Sequence, residues 1–172
     1  MDKQAEAAFK RATGMLEAIL TRQIELHKKM LVVADGKTEA IVKGALEQLE
    51  QTVQEERKLV QGIEEEENAR LAVMPLIKAQ LGLDPSVEKL ADIIDAMPEP
   101  EKTTLTPIRA ALKDVIEQCH VKTRHNAELL KASLEHVEGF LRTLSEAVQT
   151  DVKYDAKGKR IGGGPSLLDK QG

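Results

Sequence analysis

The strongest constraint on this chain is the apolar period of its first forty-odd residues. Phe9, Ala12, Leu16, Ile19, Gln23, Leu26, Met30, Val33 and Ala40 recur mostly at spacings of three and four, and Leu20, Ile24, His27 and Leu31 widen the same stripe. An α-helix brings such positions to one face and a strand scatters them. Lys37 is the single interruption. Asp35-Gly36 reads as a turn by local chemistry, yet the stripe passes through it in phase and Thr38-Glu39-Ala40-Ile41-Val42 continues it. A turn would reset the phase. The expectation is a helix over about residues 4–43, kinked or weakened at Gly36, that breaks near Lys43-Gly44, because glycine is the ordinary helix stop.

A second periodic segment, about residues 45–80, carries Leu46, Leu49, Val53, Glu56, Val60, Ile63, Glu67, Arg70, Met74, Ile77 and Leu81 on its seam. Glu56, Glu67 and Arg70 are charged, and a dry interior does not tolerate them unpaired. Part of this helix is therefore expected to be solvated, or to sit where long side chains reach water. Glu64 to Glu67 circle the helix, so they form no single acidic stripe. Pro75 should kink it.

Four prolines, Pro85, Pro98, Pro100 and Pro107, punctuate the next stretch. Asp84-Pro85-Ser86 suits the start of a short helix over 86–97, and Met97-Pro98-Glu99-Pro100 reads as a rigid connector. Thr106-Pro107, a capping residue followed by proline, marks the start of a last helix over 106–151. Its seam runs through Leu105, Ile108, Leu112, Val115, Cys119, Lys122, Asn126 and Leu129. It then shifts to Leu130, Leu134, Val137, Leu141, Leu144 and Val148, with Phe140 beside it. The shifted stripe is either bundle core or a surface offered to something else. Asn126 is either a register-setting polar residue or a binding residue.

These elements give an all-α architecture: an elongated antiparallel helical bundle or coiled coil of three long helices and a short one. It occupies residues 1–151 as one domain, with a flexible tail over 152–172. The tail holds Gly162-Gly163-Gly164, a basic patch, and apolar residues including Tyr154 and Ile161. Composition agrees. Only 2% of the 172 residues are aromatic while 41% are hydrophobic, so the core must be aliphatic, which suits helix seams. A net charge of −4 argues against duplex nucleic acid as a partner. No apolar run approaches a membrane span, and residues 1–6 carry no signal-peptide stretch. One cysteine allows no intrachain disulfide, which fits a reducing cytosol.

Little chemistry is encoded. Glu117-Gln118-Cys119-His120 supplies one Glu-x-x-His step, where a di-iron bundle needs two such steps and two more glutamates. His120 and His125 are five apart and do not share a face. His125 lacks the following Lys-Gly of a phosphotransfer bundle, Cys119 reads as a small core residue, and the triple glycine follows no strand–helix unit. The expectation is no enzyme activity, no cofactor and no metal.

The order of several segments carries a family resemblance. Lys37-Thr38-Glu39-Ala40-Ile41-Val42-Lys43-Gly44-Ala45-Leu46-Glu47-Gln48-Leu49-Glu50 is followed by Gln54-Glu55-Glu56-Arg57-Lys58-Leu59 and Glu66-Glu67-Asn68-Ala69-Arg70. Asn126-Ala127-Glu128-Leu129-Leu130-Lys131-Ala132-Ser133-Leu134 and Tyr154-Asp155-Ala156-Lys157-Gly158-Lys159 come later. Together they resemble the FlgN-type flagellar export chaperones over nearly the whole chain. Ala45 stands where that family usually has Asp, which removes a helix cap. The resemblance implies a cytoplasmic type III export chaperone. Such a chaperone binds the amphipathic terminal helices of hook-associated (hook–filament junction) proteins, prevents their premature assembly and delivers them to the flagellar export apparatus. It implies cargo binding at Asn126, Leu130, Leu134, Val137, Phe140, Leu141, Leu144 and Val148, and docking to the export gate through Tyr154 and Ile161. Neither nucleic acid nor membrane insertion is expected, and a homodimer is an open possibility. The competing reading is a structural coiled coil or self-associating bundle without export cargo, with Tyr154 an idle tail residue.

Overall fold

The structure, a computed structural model, describes residues 3–150, with side chains through 147, and the backbone of 153–154 and 160–161. The order is α1 (Lys3–Lys43), α2 (Leu46–Leu81), α3 (Leu90–Asp95), α4 (Glu99–Thr150), β1 (Lys153–Tyr154) and β2 (Arg160–Ile161). The all-α expectation holds for the helical body. The addition is the strand pair, antiparallel with Lys153 opposite Ile161 and Tyr154 opposite Arg160. It lies in the segment expected to be a flexible tail, most of which falls outside the described residues.

Glycine ends both long helices of the first hairpin, and the break of α1 at Gly44 is the one its period favoured. α1 runs unbroken through Gly36 to Lys43. Gly44 then takes φ 64°, its N–H bonds to Ile41 O at 3.2 Å, and Ala45 N–H bonds to Ala40 O at 2.9 Å. Gly82 repeats the device: φ 64°, N–H to Ala79 O, and Leu83 N–H to Lys78 O. A left-handed residue closes the last turn this way and satisfies two orphan carbonyls, and glycine adopts it without a Cβ penalty. Ala45, at the head of α2, makes no side-chain cap.

Three boundaries differ from the sequence-based expectation. Asp84-Pro85-Ser86 starts no helix. Asp84 Oδ1 accepts Ser86 N–H at 2.8 Å, and Asp84 O accepts Val87 N–H at 3.1 Å, so this segment is a turn. Asp and Pro favour turn starts as much as helix starts, and the short helix is confined to Leu90–Asp95. The connector Met97-Pro98-Glu99-Pro100 is also corrected: Glu99 and Pro100 already belong to α4, and Pro98 O accepts Lys102 N–H at 2.9 Å. Glu99 and Glu101 in that first turn complement the helix dipole. Pro107 therefore lies inside α4 rather than at its head. The ring removes the donor that would meet Thr103 O, but Thr103 and Pro107 are both exposed, so water can satisfy that carbonyl. Pro75 sits in α2 on the same terms, four residues after exposed Leu71.

Compactness divides the chain into two units, Met1–Ala127 and Glu128–Gly172, so the division falls within α4. In the first unit α2 returns antiparallel to α1: Arg22 meets Glu66 and Gln23 meets Glu67, while Lys37 meets the earlier Glu56. α4 then runs parallel to α1. Cys119 Sγ reaches His27 O at 3.4 Å and Asn126 Nδ2 donates to Ala34 O at 2.8 Å, both across a separation of 92 residues. The core joins Phe9, Leu16 and Leu20 of α1, Met74 and Ile77 of α2, Ile93 and Ile94 of α3, and Leu105, Leu112 and Val115 of α4, so among these it is aliphatic apart from Phe9.

This placement explains the charged seam of α2. The large buried aliphatic residues of α2 are Val73, Met74 and Ile77, near its end. Further from that end, Glu56 pairs with Lys37 at 2.6 Å, the same lysine that interrupts the α1 stripe. Glu67 takes a two-pronged bond from Arg70 at 2.8 and 2.6 Å and a third from Gln23 at 3.2 Å. The charged residues of the α2 seam are thus each paired, Glu56 with Lys37 of α1 and Glu67 with Arg70, instead of simply solvated.

Candidate partner-binding surface

α4 is amphipathic along its length, but its two halves meet different surroundings. In the first unit Leu105, Leu112 and Val115 are at most 8% exposed. In the second unit Leu130, Leu134, Val137, Phe140, Leu141 and Leu144 are 46% to 64% exposed. At 100° per residue these six positions fall on one side of the helix. The shifted stripe is therefore an open surface and is not core. Isolated exposed aliphatics are ordinary, whereas a contiguous run of this length is a candidate interaction surface.

The polar residues along this stretch are unevenly placed around the helix. Lys131, Glu138 and Arg142 fall by helical period along one edge of the stripe, while His136 and Thr143 fall along the other, next to Phe140. Lys131 and Glu135 approach to 3.9 Å with both side chains largely exposed, a contact worth little in water. The surface thus rests on apolar area with a modest charged margin.

Not every expected site residue belongs to it. Asn126 is 3% exposed. Its Nδ2 donates to Ala34 O, and its Oδ1 lies 2.6 Å from Thr38 Oγ1. That hydroxyl is also 2.9 Å from Ala34 O, and its one proton serves one acceptor at a time. Asn126 is therefore not brought together with the exposed stripe. It clasps α4 to α1. The side chains of Val148, Tyr154 and Ile161 lie outside the described residues. Tyr154 and Ile161 belong, by backbone, to the paired strands.

Cys119 is half-buried with its thiol directed at His27 O, and burial pushes its pKa up, away from thiolate reactivity. Among the described residues no three His, Cys, Asp or Glu side chains are grouped to hold a metal ion, and no helix is long and apolar enough to cross a membrane. Val42, expected to continue the α1 stripe, and Leu46, expected on the α2 seam, are instead exposed, and sequence reasoning missed exposed Val32. Val32 lies in the apolar run Met30–Ala34 but off the stripe, which was its only signal.

Comparison with known proteins agrees with this picture. The family model described as FlgN protein matches residues 13–160, which takes in both compact units. No curated protein and no solved structure matches the chain. A match over that span, carried by a helical chain with an open apolar stripe, places it: the chain belongs to the FlgN family of flagellar export chaperones.

Proposed function

We propose that this chaperone works in the cytoplasm on hook-associated proteins. On this reading it lays their amphipathic terminal helices along the second half of α4. Leu130, Leu134, Val137, Phe140, Leu141, Leu144 and Val148 are the contacts. The observation that carries the reading is the open stripe: the same helix that buries Leu105 and Leu112 leaves Leu134 and Leu141 more than half exposed. Burying each leucine- or valine-sized anchor contributes about 1.5–3 kcal/mol before ordering costs. Several anchors in helix-in-groove fashion suffice for firm yet reversible capture. Covering the cargo's terminal helices would keep them from premature assembly until delivery to the export apparatus. Tyr154 and Ile161 are the residues proposed to dock at the export gate. Asn126 acts from inside, fixing the register of α4 on α1.

An open apolar stripe also suits a second copy of the chain, so self-association is the competing reading. Light scattering on the folded protein, with and without the terminal region of a hook-associated protein, separates the two. A stoichiometric complex is expected. A stable homodimer that ignores cargo would replace the cargo reading with self-association.

A further inference from the structure

A second apolar surface lies within the first unit, away from α4. The α1–α2 hairpin has two sides. His27, Ala34 and Thr38 face α4 on one. At 100° per residue, Lys29, Val32 and Val33 fall on the opposite flank of α1. There a cleft of about 390 Å³ opens, lined by Lys29, Val32 and Val33 of α1 and by Glu55, Lys58 and Leu59 of α2. Its floor is aliphatic, and Val32 is 72% exposed. Its rim carries an ammonium group from each helix. Cations at the neighbouring α1–α2 contacts are neutralised, Arg22 by Glu66 and Lys37 by Glu56. Lys29 and Lys58 have no ion pair among the described residues. Two unpaired cations astride an apolar floor are notable in a chain of net charge −4.

We propose that this cleft is a second docking site, for an acidic amphipathic helix of a partner protein. A groove between two antiparallel rods has the shape to take a third rod, as α4 shows on the other side. A branched aliphatic side chain of the incoming helix covers Val32, Val33 and Leu59. Carboxylates beside it meet Lys29 on one edge and Lys58 on the other. Glu55 disfavours a carboxylate at its own position and so selects register. The inference is independent of the cargo reading, because it uses none of the residues from Leu130 onward.

The test is a methyl-resolved NMR titration of the full chain with two synthetic helical peptides. They share leucine anchors and differ only in flanking Glu or Lys. The Glu peptide is expected to shift the Val32, Val33 and Leu59 methyl signals saturably, and to bind about tenfold more tightly than the Lys peptide. Its affinity should fall about tenfold or more in Lys29→Glu/Lys58→Glu, and should fall as salt rises. Both lysines are on the surface, so the double variant should keep its unfolding temperature. Val32→Asp, also at an exposed position, should abolish the shifts. Equal response to both peptides overturns the proposal, as do shifts confined to the Leu130–Leu144 methyls. No response, or a response only to phosphatidylglycerol vesicles, overturns it equally.

Discussion

Lys37 Nζ and Glu56 Oε2 lie 2.6 Å apart, and each is a charged residue on the apolar seam of its own helix, Lys37 on α1 and Glu56 on α2. Their side chains are 21% and 23% exposed, so neither charge is free in water. Removing either alone leaves the other half-buried without its partner. Lys37→Ala or Glu56→Ala should each cost about 1–2 kcal/mol in urea unfolding, with a coupling near 1 kcal/mol in the double-mutant cycle. Lys37→Met/Glu56→Leu together should be close to neutral, because an apolar pair replaces the ion pair without desolvating a charge. A strictly additive cycle would mean the pair contributes nothing.

Asn126 should matter to folding and not to cargo. Asn126→Leu removes the side-chain bonds that tie α4 to Ala34 and Thr38, although the Thr38 hydroxyl can still donate to Ala34 O, and should destabilise the first unit by about 1–2 kcal/mol. Measured at a temperature where the variant remains folded, its affinity for a cargo helix should match that of the parent chain. A loss of cargo affinity with unchanged stability would place Asn126 in the binding surface.

Val137→Asp and Leu141→Asp probe the stripe from the other direction. Both positions are more than half exposed, so chemical unfolding should move by no more than about 0.5 kcal/mol. Binding of the cargo terminal helices, read by calorimetry, should fall by about tenfold or more per site. If the two changes unfold the protein, the stripe is core in solution.

Two glycines are required by conformation and a third is dispensable. Gly44→Ala and Gly82→Ala force a Cβ into φ 64°, and each should cost about 1 kcal/mol. Gly14 lies within α1, where an added Cβ would meet nothing within 4 Å. Gly14→Ala should therefore stabilise α1 by about 0.5–1 kcal/mol. Thermal unfolding of the three variants checks the opposite signs.

The Arg70 fork, helped by Gln23, holds the Glu67 carboxyl below the ordinary carboxylate range despite some opposing desolvation. A carboxylate with a depressed folded-state pKa contributes stability above its unfolded pKa, and that contribution disappears as pH falls through the folded value. Between about pH 5 and 3 the parent chain should lose more stability than Glu67→Gln, which has no carboxylate to protonate there. Parallel pH dependence in the two proteins would show that the fork contributes nothing. The exposure of Glu67 keeps the expected difference small.

The helices were legible because period reports helix and glycine reports its end. The α1 stripe crossing Asp35-Gly36 in phase already favoured a helix, kinked or weakened at Gly36, up to Gly44. Local chemistry misled at Asp84-Pro85-Ser86 and Thr106-Pro107, where the same residue types serve turns, caps and solvent-facing interior positions. The charged seam of α2 was visible in sequence, but its partners were not: Lys37 and Glu56 are 19 residues apart and meet only when the hairpin closes. By itself the sequence determined long amphipathic helices and the placement of their apolar faces, since those follow from 100° per residue. Only the tertiary structure decided what covers each face. Leu112 and Leu134 have the same chemistry on the same helix. One is buried within the first unit and the other is left open in the second, because burial depends on neighbours distant in sequence, which periodicity does not encode.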